Sequence, residues 1–158
     1  MTRDGVEVLL VDDCAADVEL TLRALKERAF VTDVQVARDG EEALNFLFCL
    51  GDYEGAACQP LRHVILLDLK LPKMDGLAVL RRIKADLRTR SIPVIVLTSS
   101  GEERDVRATY ELGANSYIQK PVDFDRFRET MYTLGKYWLR MNLAPPRERS
   151  SSLMEESG

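Results

Sequence analysis

Val64-Ile65-Leu66-Leu67-Asp68-Leu69-Lys70-Leu71-Pro72 is an apolar run that ends on a carboxylate, and Lys73-Met74-Asp75-Gly76 follows it. Four consecutive aliphatic residues without polar alternation predict a strand covered on both faces, and Pro72 forbids its continuation in a sheet interior. Asp68 is thereby left at the carboxyl end of a buried strand. In open α/β sheets ligands bind outside that edge, where the strand order reverses. Taken alone, an Asp there also fits a turn or a helix cap, so its role depends on what ends the other strands.

Working outward, a first strand Val6-Glu7-Val8-Leu9-Leu10-Val11 also terminates on acid, the pair Asp12-Asp13. Ala15-Ala16-Asp17 then opens a helix with Val18, Leu22 and Leu25 at helical spacing, expected to stop near Ala29, with Asp17 and Glu19 favourable at its positive end. Asp33 to Ala37 alternates as an outer strand, and Asp39-Gly40 begins a second helix with Ala43, Leu44, Leu47 and Phe48 inward. The segment from Cys49 to Arg62 exceeds the ordinary αβ loop of about 2 to 6 residues. Asp75-Gly76 starts helix three, with Leu77, Leu80, Ile83 and Leu87 on its apolar stripe, and Ser91-Ile92-Pro93 breaks it. A fourth strand Val94-Ile95-Val96-Leu97 runs into Thr98-Ser99-Ser100-Gly101. Helix four spans Glu103 to Leu112 with Gly113 as its left-handed cap, and a fifth strand Ser116-Tyr117-Ile118-Gln119 ends on Lys120-Pro121.

Five strands alternating with five helices predict an α/β fold, a doubly wound five-stranded parallel sheet with right-handed crossovers. All strand carboxyl ends then lie on one edge, which brings together Asp12, Asp13, Asp68, Thr98 and Lys120. Each could be a cap or a solvated charge, but their joint placement after apolar strands argues for a site. Crowded carboxylates raise one another's pKa unless a cation holds them ionised. Oxygen donors without nearby His or Cys favour Mg2+. With Lys120 as a second fixed charge and Thr98 as a donor, these are the parts of a phosphoryl-transfer site, with Asp68 as nucleophile.

Composition narrows the alternatives. The chain of 158 residues, net charge −4 and pI near 5.2, suits one acidic domain and offers no basic stripe for nucleic acid and no patch for a membrane. No apolar run approaches a membrane span or a signal h-region, so a soluble cytoplasmic protein is expected. Cys14, Cys49 and Cys58 are odd in number and lack metal spacing, so reduced thiols are expected. Adjacent carboxylates disfavour a Cys14 thiolate, and the lone His63, just ahead of the apolar run, is assigned to the junction of the loop and strand three.

Asp12-Asp13, Asp68 with Leu71-Pro72 and Asp75-Gly76 behind it, Thr98-Ser99, and Tyr117 with Lys120-Pro121 together resemble the response-regulator receiver domain, from about Val6 to Met141. The resemblance implies a flavodoxin-like sheet of order 2-1-3-4-5. It also implies phosphorylation of Asp68 by a partner histidine kinase, with Mg2+ bound by Asp13, Asp68 and the Lys70 carbonyl and Asp12 helping through water. Thr98 and Tyr117 would form the switch pair and Lys120-Pro121 a cis peptide. The kinase would dock on helix one near Ala16 to Leu20 and on the loop after strand five. The long segment before strand three and the ending Tyr137-Trp138-Leu139-Arg140-Met141, then Ala144-Pro145-Pro146, resemble the single-domain regulators that partner phytochrome-type histidine kinases. Lys70 departs from that subgroup, many of whose members carry Asn there, and this bears on phosphoryl lifetime.

The expected organisation is a receiver domain over 1–142 with an extended last helix and a flexible tail over 143–158, output passing by protein contact. A rival reading is a Mg2+-dependent phosphohydrolase that also forms an aspartyl phosphate. Such an enzyme places its acid/base two residues past the nucleophile, where this chain has Lys70, so a signalling phosphoacceptor rather than an enzyme is expected. The last helix adds a homodimer. Phe124, Phe127, Met131, Leu134, Trp138 and Met141 follow a heptad-like seam. A helix to Asn142 spans about 28 Å against about 17 Å for a five-residue strand, so Trp138, Leu139 and Met141 are expected to overhang the sheet as the dimer interface.

Overall fold

The computed structural model describes residues 5–27 and 33–146. Its sheet has five parallel strands in the order β2-β1-β3-β4-β5: β1 Val6–Val11, β2 Val34–Ala37, β3 Leu61–Leu67, β4 Val94–Thr98 and β5 Ser116–Gln119. The helices are α1 Ala15–Glu27, α2 Gly40–Phe48, α3 Gly76–Ala85, α4 Glu103–Glu111 and α5 Phe124–Gly135. The expected end of α1 near Ala29 and the tail from Arg147 onward lie outside the described residues.

Two apolar layers explain why the central strands carry no polar alternation. Val8, Leu10, Val64, Leu66, Ile95 and Leu97 meet Val18 and Leu25 of α1 and Phe127, Met131 and Leu134 of α5. Leu9, Val11, Ile65, Leu67, Val94 and Val96 meet Leu44 and Phe46 of α2 and Val79, Leu80 and Ile83 of α3. Each of these strand residues is therefore buried whichever way it points, as period-2 geometry between two helical layers requires. The reversal of order at β1 and β3 puts the carboxyl ends of these two strands side by side, with Val11 opposite Leu67.

The turn from β3 into α3 is fixed by Gly76. Its N–H donates to the Leu69 carbonyl at 2.8 Å, and a Cβ built on it would stand 2.4 Å from the Asp68 carbonyl oxygen and 2.5 Å from Leu69 Cα. Asp75 caps the helix by accepting from the Ala78 N–H at 2.9 Å. The start of α3 thus rests directly on the backbone that carries Asp68.

Four sequence expectations are corrected. Leu87 lies beyond the end of α3 and is 68% exposed, because the helix ends at Ala85 and the chain leaves the stripe. His63 sits inside β3, which starts at Leu61 and pairs with Val6 across an irregularity in register. Cys49 and Cys58 are joined in a disulfide: two 3-10 turns, Gly51–Tyr53 and Gly55–Ala57, fold the long segment back so that their Cα atoms lie 5.0 Å apart, within bonding geometry. Leu139 is buried at 8% exposure and Trp138 is partly buried against the layer of α1 and α5, so of the three residues expected to overhang only Met141 is exposed. The chain after α5 widens into a π-helical segment, Lys136–Met141, which shifts the phase of the seam and lays Leu139 against the α1/α5 layer and the segment against β3.

Gly76→Ala forces the Asp68–Leu69 backbone to shift and is expected to destabilise the domain by about 1–3 kcal/mol, the usual range for overpacking. Urea unfolding of the two proteins measures the difference; equal midpoints at equal slope contradict the contact.

Candidate functional site

The strand ends converge on one ammonium group. Lys120 follows β5, its N–H donating to the Thr98 carbonyl at 2.7 Å, and its side chain crosses the edge of the sheet. There Lys120 Nζ donates to Asp12 Oδ2 at 2.7 Å, Asp17 Oδ2 at 2.9 Å and Asp68 Oδ2 at 3.0 Å. An ammonium has three protons, and three carboxylates take them. The side chains of Lys120, Asp12 and Asp68 are 7%, 2% and 10% exposed, whereas Asp17 is 34% exposed and opens the group to solvent.

Two of the carboxylates are also held by nearby backbone. Asp12 Oδ1 accepts from the Cys14 N–H at 3.0 Å and Asp68 Oδ1 from the Lys70 N–H at 3.2 Å. These short loops fix the rotamers that turn both Oδ2 atoms toward the lysine. Burial would lower the Lys120 pKa, but its hydrogen bonds to Asp12, Asp17 and Asp68 and the Asp68 charge carry it above the ordinary lysine value. Burial raises the Asp12 carboxyl, against the opposing pull of Lys120 and the Cys14 N–H. We take the pair as ionised, because an ammonium held charged 2.7 Å away favours the carboxylate.

Thr98 ends β4 fully buried, and its Oγ1 has no hydrogen-bond partner. The β3/β4 register pairs Leu67 with Val96, so the next positions place Asp68 beside Leu97 and Thr98 at the rim of the same edge. Tyr117 of β5 is half-buried and its hydroxyl donates to the Ser100 carbonyl at 2.8 Å, two residues past Thr98. Asp13 is exposed and is not among the lysine's partners; Lys70 is exposed with its N–H on Asp68.

Sequence reasoning read Asp17 only as a favourable charge at the start of α1. Its place in the first turn, on the helix that follows Asp12-Asp13, was the available signal. The expected cis Lys120-Pro121 bond is corrected: there is no cis peptide among the described residues. The lysine stem reaches the acids from a trans bond, the isomer favoured by about 0.5–1 kcal/mol before proline.

Among the described residues, no cluster of three or more acid, His or Cys groups is spaced for a metal. The lysine stands in for a cation instead, with three carboxylate oxygens turned toward it. The donors are hard oxygens, two of them nearly buried, and one or two carboxylates with waters suffice for a divalent ion of the Mg2+ type. The residues present therefore fit such an ion.

A buried acid ending the central strand, further acids after its neighbour, a hydroxyl after the next and a lysine after the last define a phosphoacceptor domain of two-component signalling. The chain belongs to the response regulator receiver domain family, whose pattern matches residues 8–132. It is 40% identical over 142 residues to the probable methanogenesis regulatory protein FilR2 of Methanothrix harundinacea, covering 90% of this chain and 89% of that one. Response regulator Rcp1 of Synechocystis sp. is 38% identical over 138 residues, 87% and 92% of the two chains. The crystal structure of the Mn(2+)-bound form of Rcp1 superposes with a TM-score of 0.82 over 89% of this chain and 99% of that one. That of the phosphorylated cyanobacterial phytochrome response regulator RcpA, 35% identical, gives 0.83 over 90% and 99%. No helix among the described residues is long and apolar enough to cross a membrane.

Lys120→Met takes away the ammonium that opposes burial at Asp12, so the Asp12 carboxyl moves further above its ordinary value. A raised carboxyl favours folding as pH falls, so the variant should gain stability between about pH 7 and pH 4. The wild-type lysine, itself raised, contributes fully below its unfolded value of about 10.4 and loses that contribution only above it. Urea midpoints of both proteins between pH 5 and 8 check this; parallel pH profiles contradict it.

Proposed function

We infer that Asp68 is the phosphoacceptor, taking its phosphoryl group from the phosphohistidine of a phytochrome-type histidine kinase, and that the signal leaves by protein contact. The observation that carries this reading is the buried Thr98 hydroxyl, a donor without an acceptor at the edge where Asp68 ends its strand. An orphaned hydroxyl in the interior costs about 1–3 kcal/mol, and a phosphoryl oxygen on Asp68 would relieve it. The name of RcpA, a phytochrome response regulator, supports the choice of kinase.

In the transfer an Asp68 oxygen forms a bond to phosphorus as the P–N bond breaks, the electron pair leaving on the imidazole nitrogen. Asp12 and Asp17 hold Lys120 beside Asp68, where its ammonium meets the charge that develops on the phosphoryl oxygens. A Mg2+ ion held by Asp13, Asp68 and the Lys70 carbonyl oxygen, with Asp12 helping through water, would supply further neutralisation of those oxygens. Thr98 moving onto the phosphoryl group would displace the segment whose Ser100 carbonyl holds Tyr117, so Thr98 and Tyr117 act as a coupled pair. We assign the protein no substrate other than its own Asp68 and place it in the cytoplasm, where such kinases present their phosphohistidine.

The same reading includes a homodimer on the last helix. Tyr137 and Met141 are 46% and 62% exposed, and the Tyr137 ring meets Trp138 edge to face at 5.0 Å. Trp138 and Tyr137 line a groove with Ile118 and Leu134. Trp138 and Met141, with Tyr137 in place of the buried Leu139, form an apolar patch that a two-fold copy would cover.

Incubation with a small phosphodonor and Mg2+ should add one phosphoryl group by intact mass to the wild type and none to Asp68→Ala; equal labelling of both rules out Asp68. Sedimentation at micromolar concentration should show a wild-type dimer and a largely monomeric Trp138→Ala. A monomeric wild type, or a variant as dimeric as wild type, excludes the patch.

A further inference from the structure

We propose that Cys49 and Cys58 are a redox modification site, a disulfide that thiol reductants open and close to set the order of the α2–β3 segment independently of the phosphoacceptor edge. Three observations carry it. Cys58 is exposed and Cys49 partly so, and a solvent-accessible disulfide is open to attack by external thiolates. Cys49 occupies the left-handed cap of α2 at φ 56°, with its N–H on the Asn45 and Phe46 carbonyls, a position that glycine fills without a Cβ penalty. A sulfur is therefore held where the backbone disfavours any side chain.

The third observation is how the segment is tied down. Its two ends are anchored without the bridge: the Phe48 ring lies under the Arg88 guanidinium at 4.6 Å, and the Pro60 carbonyl accepts from the Val6 N–H at 2.8 Å. Between them Tyr53 reaches inward, edge to face with Phe46 at 5.3 Å and hydrogen-bonded to Gln35 and Glu42, and Gln59 turns its Oε1 inward without a hydrogen-bond partner. The remaining order is four local amide bonds, from Tyr53, Glu54, Ala57 and Cys58 to carbonyls three residues earlier. Opening the bridge releases this short stretch and leaves the sheet paired. The segment precedes β3, so it lies at the amino end of the strand whose carboxyl end carries Asp68.

The exchange balances as two electrons and two protons. A thiolate RS⁻ attacks the exposed Cys58 sulfur, the Cys49 sulfur leaves as thiolate and takes a proton, and a mixed disulfide remains on Cys58. A second thiol attacks the R sulfur, releasing RSSR and the Cys58 thiol. The reductant is a small thiol or a dithiol protein, and the disulfide form of either closes the bridge again.

The test uses the full chain with Cys14→Ser, so that only the pair reacts. Folded protein is equilibrated in glutathione buffers from fully reduced to fully oxidised, alkylated and weighed, and amide hydrogen exchange is read at both ends. We expect a reversible two-thiol titration, with the Tyr53 to Cys58 amides exchanging about tenfold or more faster when reduced and the β1 and β3 amides unchanged. Cys58→Ser should exchange like the reduced form under all buffers. A bridge that resists reduction until the domain unfolds, a pair that stays unbridged in oxidised glutathione, or equal loop exchange in both states overturns the proposal.

Discussion

The Lys120 ammonium holds together parts of the chain that sequence keeps far apart. It joins the end of β1, the first turn of α1, the end of β3 and the start of the α5 approach through three charged hydrogen bonds. Such bonds run at roughly 1.5–3 kcal/mol each when one partner is charged. Their energetic yield is smaller than their sum, because Lys120, Asp12 and Asp68 all lost water to make them. What the arrangement secures is geometry: removing any one member leaves a nearly buried charge, so the edge keeps one conformation. The same balance of charge makes it receptive to a phosphoryl group, which brings new negative oxygens to a cation already in place.

That edge depends in turn on how the strands are supported. Because both faces of β1, β3 and β4 are sealed by aliphatic layers, the only polar groups these strands present are at their ends. Gly76 lets α3 start against the Asp68–Leu69 backbone, and Asp39 and Asp75 cap the helices that follow β2 and β3. The acids are thus mounted on rigid backbone, while the elements that differ in accessibility, Tyr117 and the segment after α5, sit at the periphery.

Much of this was legible in the sequence. The aliphatic runs ending on Asp12, Asp68 and Thr98 disclosed the parallel sheet, because strand burial and Pro72 leave few other readings, while its order came from the family resemblance. The pairwise details were not. Asp17 reads as a helix-start charge, since its approach to Lys120 depends on where α1 sits in space. Cys49 and Cys58 read as separate thiols, since two 3-10 turns rather than their spacing bring them together. Leu139 reads as exposed because a regular α-helix was assumed, whereas the π-helical turn rotates it inward. The cis bond before Pro121 was carried over from the family resemblance and does not occur, the lysine stem being long enough without it.

The most direct measurement is the titration of Lys120 itself, followed by NMR of its selectively labelled side-chain nitrogen. The account predicts that the ammonium stays protonated well above the ordinary lysine value of about 10.4, and that it loses this displacement in Asp12→Asn. A side chain that titrates at the ordinary value, with no response to Asp12→Asn, would contradict the three-carboxylate clasp that organises the phosphoacceptor edge.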